Sequence, residues 1–459
     1  MSWQGKKVLV LGAARQGLSA ARFLARQYAK VLLNDQRAES EFSHLRAELH
    51  QLNIETCFGS HPFGLLQGVD LLCISGGVPL DHPIVQKALD TGIPLTNDTQ
   101  IFFESVKTRV VGITGSAGKT TTTIMLGEIA KKAVSADQSV WVGGNIGYPM
   151  LDHADEIRRQ DWVIIELSSF QLELVSVSPN IAVILNITPN HLDRHKHMKD
   201  YIAAKTRIIQ FQKDDNVAIL NRDDHNFTGL LEKVKGNVIT FGDNPPSNQH
   251  KSIYLEEDRV KLKDGGDEKT LLTLDCLQLP GKHNIMNMLA ACAVSCAAGF
   301  SPEAMRLGIE QVKSIPHRLE LIRDFNGVRW VNDSIATAPE RVIAAVNTVQ
   351  SPLILLLGGR DKDLPWEELA KSLHKFKPTV ILFGEAAEKI YATLEHYEKG
   401  TFPYRIFSTK NLEEAVYKAS QISLPGDTVL LSPGGTSYDA YFDFEERGNH
   451  FRHLVEAFA

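Results

Sequence analysis

Residues 110–123 read Val-Val-Gly-Ile-Thr-Gly-Ser-Ala-Gly-Lys-Thr-Thr-Thr-Thr, and they narrow the possible folds more than any other stretch. An apolar strand runs into a glycine-rich turn, and the turn ends in Lys119-Thr120 at the start of a helix. Gly115 and Gly118 let backbone N–H groups converge on an anion, and the helix adds the positive end of its dipole. Lys119 then reaches the terminal phosphates of a nucleotide and Thr120 holds magnesium. With Ser116, Ala117 and Thr121 these residues form an expected ATP-binding loop. The loop is a variant, since strict Walker spacing asks for glycine at 113, where Ile113 stands, and Gly112 falls one residue earlier.

A chain of 459 residues exceeds one compact core and suggests roughly three domains. Its 43% hydrophobic and 23% charged residues describe a globular protein rather than a disordered or fibrous one. The net charge of -6 gives no general attraction to nucleic acid or anionic membrane, so phosphate binding must come from local clusters. No window reaches the length of a membrane-spanning helix, and the start of the chain lacks the apolar region of a secretory signal. A cytoplasmic protein without membrane insertion is expected. The five scattered cysteines read as reduced thiols, and the apolar neighbours of Cys292 and Cys296 favour core packing over metal binding.

Residues 1–100 alternate strand, glycine turn and helix, with strands near 7–12, 30–35 and 70–75 and a helix around 19–27. The turn Gly12-Ala-Ala-Arg-Gln-Gly17 resembles a dinucleotide fingerprint with Asp35 at ribose distance, but it carries only two of the three glycines. Together with Ser75-Gly-Gly-Val-Pro79 it predicts a nucleotide-diphosphate cleft at the carboxyl ends of the strands, in preference to a redox cofactor. Residues 101–315 follow the phosphate loop with buried strands at 161–167 and 181–187 and a peripheral hairpin region at 242–268. From 316 onward, runs at 352–358, 378–384 and 427–433 predict a second doubly wound unit without a phosphate loop. The fold class is therefore α/β, as a Rossmann-like domain (1–100), a central P-loop ATPase domain with a parallel sheet (101–315) and a C-terminal Rossmann-like α/β domain (316–459).

Glu166 ends its apolar strand, where a carboxylate in a P-loop fold holds magnesium or orients its water shell. Asn186-Ile-Thr-Pro-Asn-His191-Leu-Asp193 places a second polar cluster past the next strand. At the same sheet edge, His191 is a candidate ligand for a second divalent ion and Asp193 a candidate to orient it.

Thr114-Gly-Ser-Ala-Gly-Lys-Thr120, Gly143-Gly-Asn-Ile-Gly147, Glu166-Leu-Ser-Ser-Phe-Gln171 and Asn190-His-Leu-Asp193 are followed in order by Leu279-Pro-Gly-Lys-His-Asn284, Pro316-His-Arg-Leu-Glu320 and Asn332-Asp-Ser334. In this order and over essentially the whole length, the chain resembles the Mur ligases. The resemblance implies ATP-dependent joining of D-glutamate to UDP-N-acetylmuramoyl-L-alanine through an acyl phosphate in peptidoglycan precursor synthesis, by a monomer using two magnesium ions. Lys119, Asn145, His191, Lys205 and His317 would be catalytic, and Thr120, Glu166, His191 and a carbamylated Lys205 would hold metal. Asn284, Asn287, Arg318 and Asp333 would join the loop around ATP. Ala14, Arg15, Gln16, Asp35, Gln36, Arg37, Gly77, Asn145 and His191 would line the UDP-substrate site, and Thr337, Lys362, Ser437 and Phe444 the glutamate pocket. A carbamate converts the lysine cation into an anion, which suits a site crowded with magnesium.

Two positions depart from the family pattern: Ile335 stands where a lysine is usual and Ala338 where an asparagine is usual. A relative joining L-glutamate is the nearest competing reading. A folylpolyglutamate synthase should lack the first Rossmann-like segment. A nucleotide-dependent regulator or a dehydrogenase leaves Lys205, His191 and the third domain unexplained.

Overall fold

Apolar runs of five or six residues that stop at a glycine or polar residue form parallel strands, because strands covered by helices on both faces need no polar alternation. In the computed structural model they build three sheets. The structure describes residues 2–189, 192–247, 250–349, 352–362 and 364–458, without the side chains of Leu192 and Asp193. The chain divides into two units, Met1–Lys313 with two sheets and Ser314–Ala459 with one.

The first sheet comprises β1 (Lys7–Leu11), β2 (Lys30–Asp35), β3 (Glu55–Phe58), β4 (Leu71–Ile74) and β5 (Leu95–Thr96), all parallel in the order β3-β2-β1-β4-β5. The order reverses between β1 and β4, so a crevice opens beyond their carboxyl ends, where the turns at Gly12 and Ser75 lie. Glycine is required there. Gly12 has φ of 95°, and a Cβ on Gly17 would stand 1.8 Å from the Gly12 carbonyl oxygen. The following helix, Arg15–Arg26, begins four residues before its expected start at Ser19. Its first turn carries polar Arg15 and Gln16, which hid the apolar periodicity.

The second sheet takes β6 (Arg109–Thr114), β7 (Val140–Gly144), β8 (Trp162–Glu166), β9 (Ile181–Ile184), β10 (Val217–Asn221), β11 (Asn237–Gly242), β12 (Lys251–Glu256), β13 (Arg259–Asp264) and β14 (Asp267–Thr273). Their order is β14-β13-β12-β11-β10-β9-β6-β8-β7, parallel from β12 to β7, with β13 and β14 appended as antiparallel strands. The expected peripheral hairpin is therefore present, although its first strand also extends the parallel sheet. Because β6 lies between β8 and β9, the phosphate loop is flanked by the ends of both neighbours. Helices Lys282–Ala298 and Pro302–Glu310 pack on the phosphate-loop helix, Lys119–Ala133. The Gly308 approach is so close that a Cβ there would meet Ile129 backbone at 2.4 Å. Cys292 is fully buried in this layer, as core packing requires.

The third sheet holds β15 (Glu320–Phe325), β16 (Val328–Asn332), β17 (Leu353–Gly358), β18 (Thr379–Phe383), β19 (Ile406–Ser408) and β20 (Thr428–Gly434). The order is β15-β16-β20-β17-β18-β19, parallel except for β15. Three of its strands were not apparent from sequence: β15 and β16 carry Arg323, Asp324 and Arg329, and β19 has three residues. Separate apolar clusters cover its two faces, one around Trp366 and Leu369 and the other around Trp330 and Phe451. No helix among the described residues is long and apolar enough to cross a membrane.

Candidate active site

The phosphate loop turns into its helix through Gly118, whose φ of 86° suits glycine. Register places Glu166 of β8 opposite Ile113 of β6 and Gly144 of β7 opposite Glu166. Gly144, with φ of 106°, lies so close to Glu166 that a Cβ would stand 2.5 Å from the Glu166 carbonyl oxygen. The next residue, Asn145, consequently donates its side-chain Nδ2 to Glu166 Oε1 at 3.1 Å, while Thr120 Oγ1 donates to Glu166 Oε2 at 2.9 Å. Thr120, Asn145 and Glu166, expected at one site, are brought together. Thr120 and Glu166 offer hard oxygen donors side by side, the donor chemistry that magnesium takes.

The loop is braced from β9. Asn186 accepts the Ala117 N–H on Oδ1 at 2.9 Å and donates Nδ2 to the Ala117 carbonyl at 3.0 Å, so one amide side chain holds both sides of this residue. Its own carbonyl accepts the Ser116 N–H at 2.9 Å. Ser116 Oγ donates to the Thr188 carbonyl at 2.9 Å and lies 3.0 Å from the Tyr201 hydroxyl. The Ser116 and Ala117 amides are thus engaged within the protein, which leaves the first-turn amides of helix Lys119–Ala133 to face an anion. Lys119 Nζ folds onto the Gly115 and Ser116 carbonyls at 3.0 and 3.4 Å. Asn287 reaches the same loop: a Cβ on Gly118 would stand 2.2 Å from its Oδ1. Asn284 receives a bond from Asn287 at 3.2 Å and donates to the Pro280 carbonyl at 2.8 Å.

Lys205 is 1% exposed, and its Nζ donates to the Gly115 carbonyl at 2.9 Å and to Thr114 Oγ1 at 3.3 Å. Its ammonium lies over the Tyr201 ring. Burial pushes its pKa well below the ordinary lysine value, the charge of Lys119 adds to that, and Glu166 opposes it. His191 lies outside the described residues, as does the Asp193 side chain. Nearby His195 is buried, with Nε2 2.8 Å from Ser169 Oγ and its ring stacked on Phe170, which reads as packing.

At the crevice of the first sheet Asp35 accepts the Ala13 N–H at 2.7 Å and both Nε and Nη2 of Arg37 at 3.0 Å. Burial opposes its ionisation, but the hydrogen bonds from Arg37 and Ala13 outweigh this and hold the carboxyl below its usual range. Asp35 therefore orders the Gly12 turn and Arg37 together. Ala14, Gln36 and Gly77 are exposed at this edge, and Arg15 and Gln16 partly so. Gln16 Oε1 lies against Gly76, joining the two turns.

In the second unit Asp333 is buried, accepting from Ser432 Oγ at 2.8 Å and from the Leu319 N–H at 3.2 Å, and burial raises its pKa to about 6. His317 is also buried, and its Nδ1 receives Asn332 Nδ2 at 3.0 Å, so the ring is the neutral Nε2–H tautomer. Burial lowers its pKa, consistent with that form. Arg318 and Lys362 are exposed, Thr337 and Phe444 partly so, and Ser437 is buried. Sequence reasoning missed Arg447. Fully buried, it donates Nε to Ser334 Oγ at 3.0 Å, Nη2 to the Ser334 carbonyl at 2.9 Å and Nη1 to the Gly435 carbonyl at 3.2 Å. Ser334 Oγ in turn donates to the Phe444 carbonyl at 2.8 Å, so Arg447 joins the segments that carry Thr337, Ser437 and Phe444. No local pattern distinguishes it from a surface arginine on a polar helix.

Three family models match in series: a Mur ligase MurD-like N-terminal domain over 6–97, a Mur ligase middle domain over 113–295, and a Mur ligase glutamate ligase domain over 317–435. The chain is 36% identical over 452 residues to a UDP-N-acetylmuramoylalanine–D-glutamate ligase of Symbiobacterium thermophilum, covering 98% of each. A ligase of the same name from Koribacter versatilis is 38% identical over 468 residues, covering 100% of this chain and 99% of the relative. Among solved structures, MurF from Acinetobacter baumannii matches with a TM-score of 0.59 at 18% identity, over 98% of this chain and 93% of that one. UDP-N-acetylmuramate-alanine ligase MurC from Thermotoga maritima matches at 0.57 and 18%, over 98% and 99%. These two likenesses establish the shared α/β fold.

Proposed function

Because this chain belongs to the Mur ligase family, we propose from its site that it joins D-glutamate to UDP-N-acetylmuramoyl-L-alanine at the expense of ATP, releasing ADP and phosphate in peptidoglycan precursor synthesis. The observation that carries the mechanism is the convergence of Thr120 and Asn145 on Glu166 beside the phosphate loop, with buried Lys205 behind it.

In the first step an oxygen of the L-alanine carboxylate forms a bond to the γ-phosphorus of ATP while the bond to the β-phosphate oxygen breaks. ADP leaves and an acyl phosphate remains. The first-turn amides of helix Lys119–Ala133 and the Lys119 ammonium spread the charge of the transferring group, and Asn145 orients the carboxylate against it. In the second step the neutral amine nitrogen of glutamate bonds to the acyl carbon, the carbon–oxygen bond to phosphate breaks, and the nitrogen gives up a proton to water.

Thr120, Glu166, His191 and carbamylated Lys205 would hold magnesium, which neutralises phosphate charge when bound. The depressed basicity of Lys205 supports the carbamate: a neutral Nζ carries the lone pair that attacks carbon dioxide, and a proton leaves as the N–C bond forms. Asn284, Asn287, Arg318 and Asp333 are proposed ATP contacts. The turns of the first sheet with Asp35, Gln36 and Arg37 are proposed to bind UDP. Thr337, Lys362, Ser437 and Phe444 are proposed to receive glutamate, with the lysine and hydroxyls as partners for its carboxylates. His317, with Nδ1 committed to Asn332, is proposed to position this region rather than to transfer protons. We also propose a cytoplasmic monomer.

The test offers ATP and UDP-N-acetylmuramoyl-L-alanine with D- or L-glutamate and identifies the product by mass and chirality. Product and ADP are expected with the D-isomer. Incorporation of the L-isomer alone would overturn the stereochemical assignment, and ATP turnover without any coupled product would overturn the ligase reading.

A further inference from the structure

Arg194 is absent from every role assigned above, although it joins two parts of the site. It lies on the short helix Leu192–His195 beyond β9, and its guanidinium stacks over the Phe170 ring, 4.2 Å from the centroid. Phe170 belongs to the helix Ser169–Leu172 that follows Glu166. At its far end the guanidinium forks onto the turn beyond β4: Nη1 donates to the Gly76 carbonyl at 2.6 Å and Nη2 to the Val78 carbonyl at 2.9 Å.

The consequence follows from peptide geometry. In a trans peptide the C=O and the N–H of the next residue point in opposite directions, and the described chain has no cis peptide. With the Gly76 oxygen pinned to Arg194, the Gly77 N–H is aimed away from Arg194, and Gly77 is exposed at the crevice edge. Pro79 follows Val78, so the second pinned carbonyl directs no competing donor. The turn is further fixed against its neighbour: a Cβ on Gly12 would meet Ser75 Cβ at 2.9 Å and Val78 Cγ2 at 3.2 Å.

We propose that Arg194 is a positioning residue for the sugar nucleotide: it sets the direction of the Gly77 amide so that this N–H donates to the substrate's diphosphate. It also ties that turn, through Phe170, to the segment carrying Glu166. The proposal rests on the reading of the first-sheet crevice as the UDP-substrate site.

A planar fork stacked on an aromatic ring is a geometry that lysine does not reproduce. The experiment therefore measures, by calorimetry on the full chain, the Kd of UDP-N-acetylmuramoyl-L-alanine and separately that of ATP for wild type, Arg194→Ala, Arg194→Lys and Lys196→Ala. Lys196 makes only an exposed ion pair with Asp81 and serves as the neighbouring control. Losing the charged pair of bonds is expected to weaken sugar-nucleotide binding roughly tenfold or more in both Arg194 variants. ATP affinity should stay within about twofold, which also reports an intact fold, and Lys196→Ala should bind as wild type does.

Undiminished sugar-nucleotide binding by Arg194→Ala, or full recovery in Arg194→Lys, would overturn the positioning role. An equal loss of ATP affinity would likewise overturn it, by showing a general structural defect. Failure of the wild type itself to bind the sugar nucleotide would instead sink the crevice assignment on which the proposal stands.

Discussion

Replacing Gly118 by alanine tests whether the phosphate loop holds its shape through that single residue. At φ of 86° an L-residue is strained, and the added Cβ would stand 2.2 Å from Asn287 Oδ1 and 3.4 Å from Leu185 Cδ1. The left-handed conformation costs about 1–2 kcal/mol. Moving Asn287 away breaks its bond to Asn284 for about 1 kcal/mol more. The unliganded variant can relax by rotating the loop, but ATP binding must restore the original shape, so the strain is charged to affinity. About 2–3 kcal/mol corresponds to a roughly 30- to 150-fold higher Kd for ATP. Titration calorimetry with ATP reads this directly, and the Kd for UDP-N-acetylmuramoyl-L-alanine serves as the internal control. ATP affinity within threefold of wild type would refute the claim that Gly118 fixes the cradle.

Asn186→Ala should raise the Kd for ATP roughly tenfold by freeing the Ala117 peptide, and Asn186→Asp should be worse, because its second carboxylate oxygen would face the Ala117 carbonyl and its negative charge would repel the nucleotide phosphates; calorimetry ranks the two. Lys205→Met should abolish product formation yet raise the thermal midpoint of carbon-dioxide-free protein at pH 7. Here the folded-state pKa lies below the unfolded one, so burial of this lysine costs stability at low pH and the cost fades as pH rises toward the unfolded value; melting curves from pH 6 to 9 should converge toward the alkaline end. Asp333→Asn inverts the pattern: with the folded pKa raised to about 6, the wild type binds more protons folded than unfolded, so this group's contribution declines as pH rises from about 4 to 6. The variant should lose that portion of the pH dependence, measured as the difference in melting temperature between the two proteins.

Much of the central sheet was readable because its strands are continuous apolar runs and its loops end in residues of special chemistry. The link between Glu166 and Thr120 follows once β8 is placed beside β6, and sequence separation alone conceals the pairing. Helix Arg15–Arg26 began early because its first turn is polar, and β15 and β16 were hidden by the charged residues that interrupt their apolar runs. Arg194, Asn186 and Arg447 escaped a functional assignment for a different reason. Each acts on backbone carbonyls or amides of loops that lie far away in sequence, and a peptide group has no residue-type signature. Side chains expected to touch a ligand can be inferred from their own chemistry, whereas those that fix the direction of a distant peptide require the fold.

All three sheets also place awkward ionisable groups near their carboxyl edges. Lys205 is buried next to the positive Lys119, Asp35 is buried but rescued by Arg37, and Asp333 is buried deeply enough that the bonds from Ser432 and Leu319 and the charges of Arg318 and Arg341 do not offset its desolvation. None is a good solution for stability alone, since an apolar residue of similar volume carries no desolvation cost. Their shared location has a physical reason: a parallel sheet aims its strand ends and the amino termini of its following helices at one edge, where backbone donors favour anions. A group placed there is desolvated by the fold, and a charged ligand bound at that edge would interact with it at short range in a medium of low polarity, which strengthens the interaction. The stability given up by burying Lys205 is thus the same feature that lowers the basicity of its nitrogen, and replacing it with an apolar side chain removes both.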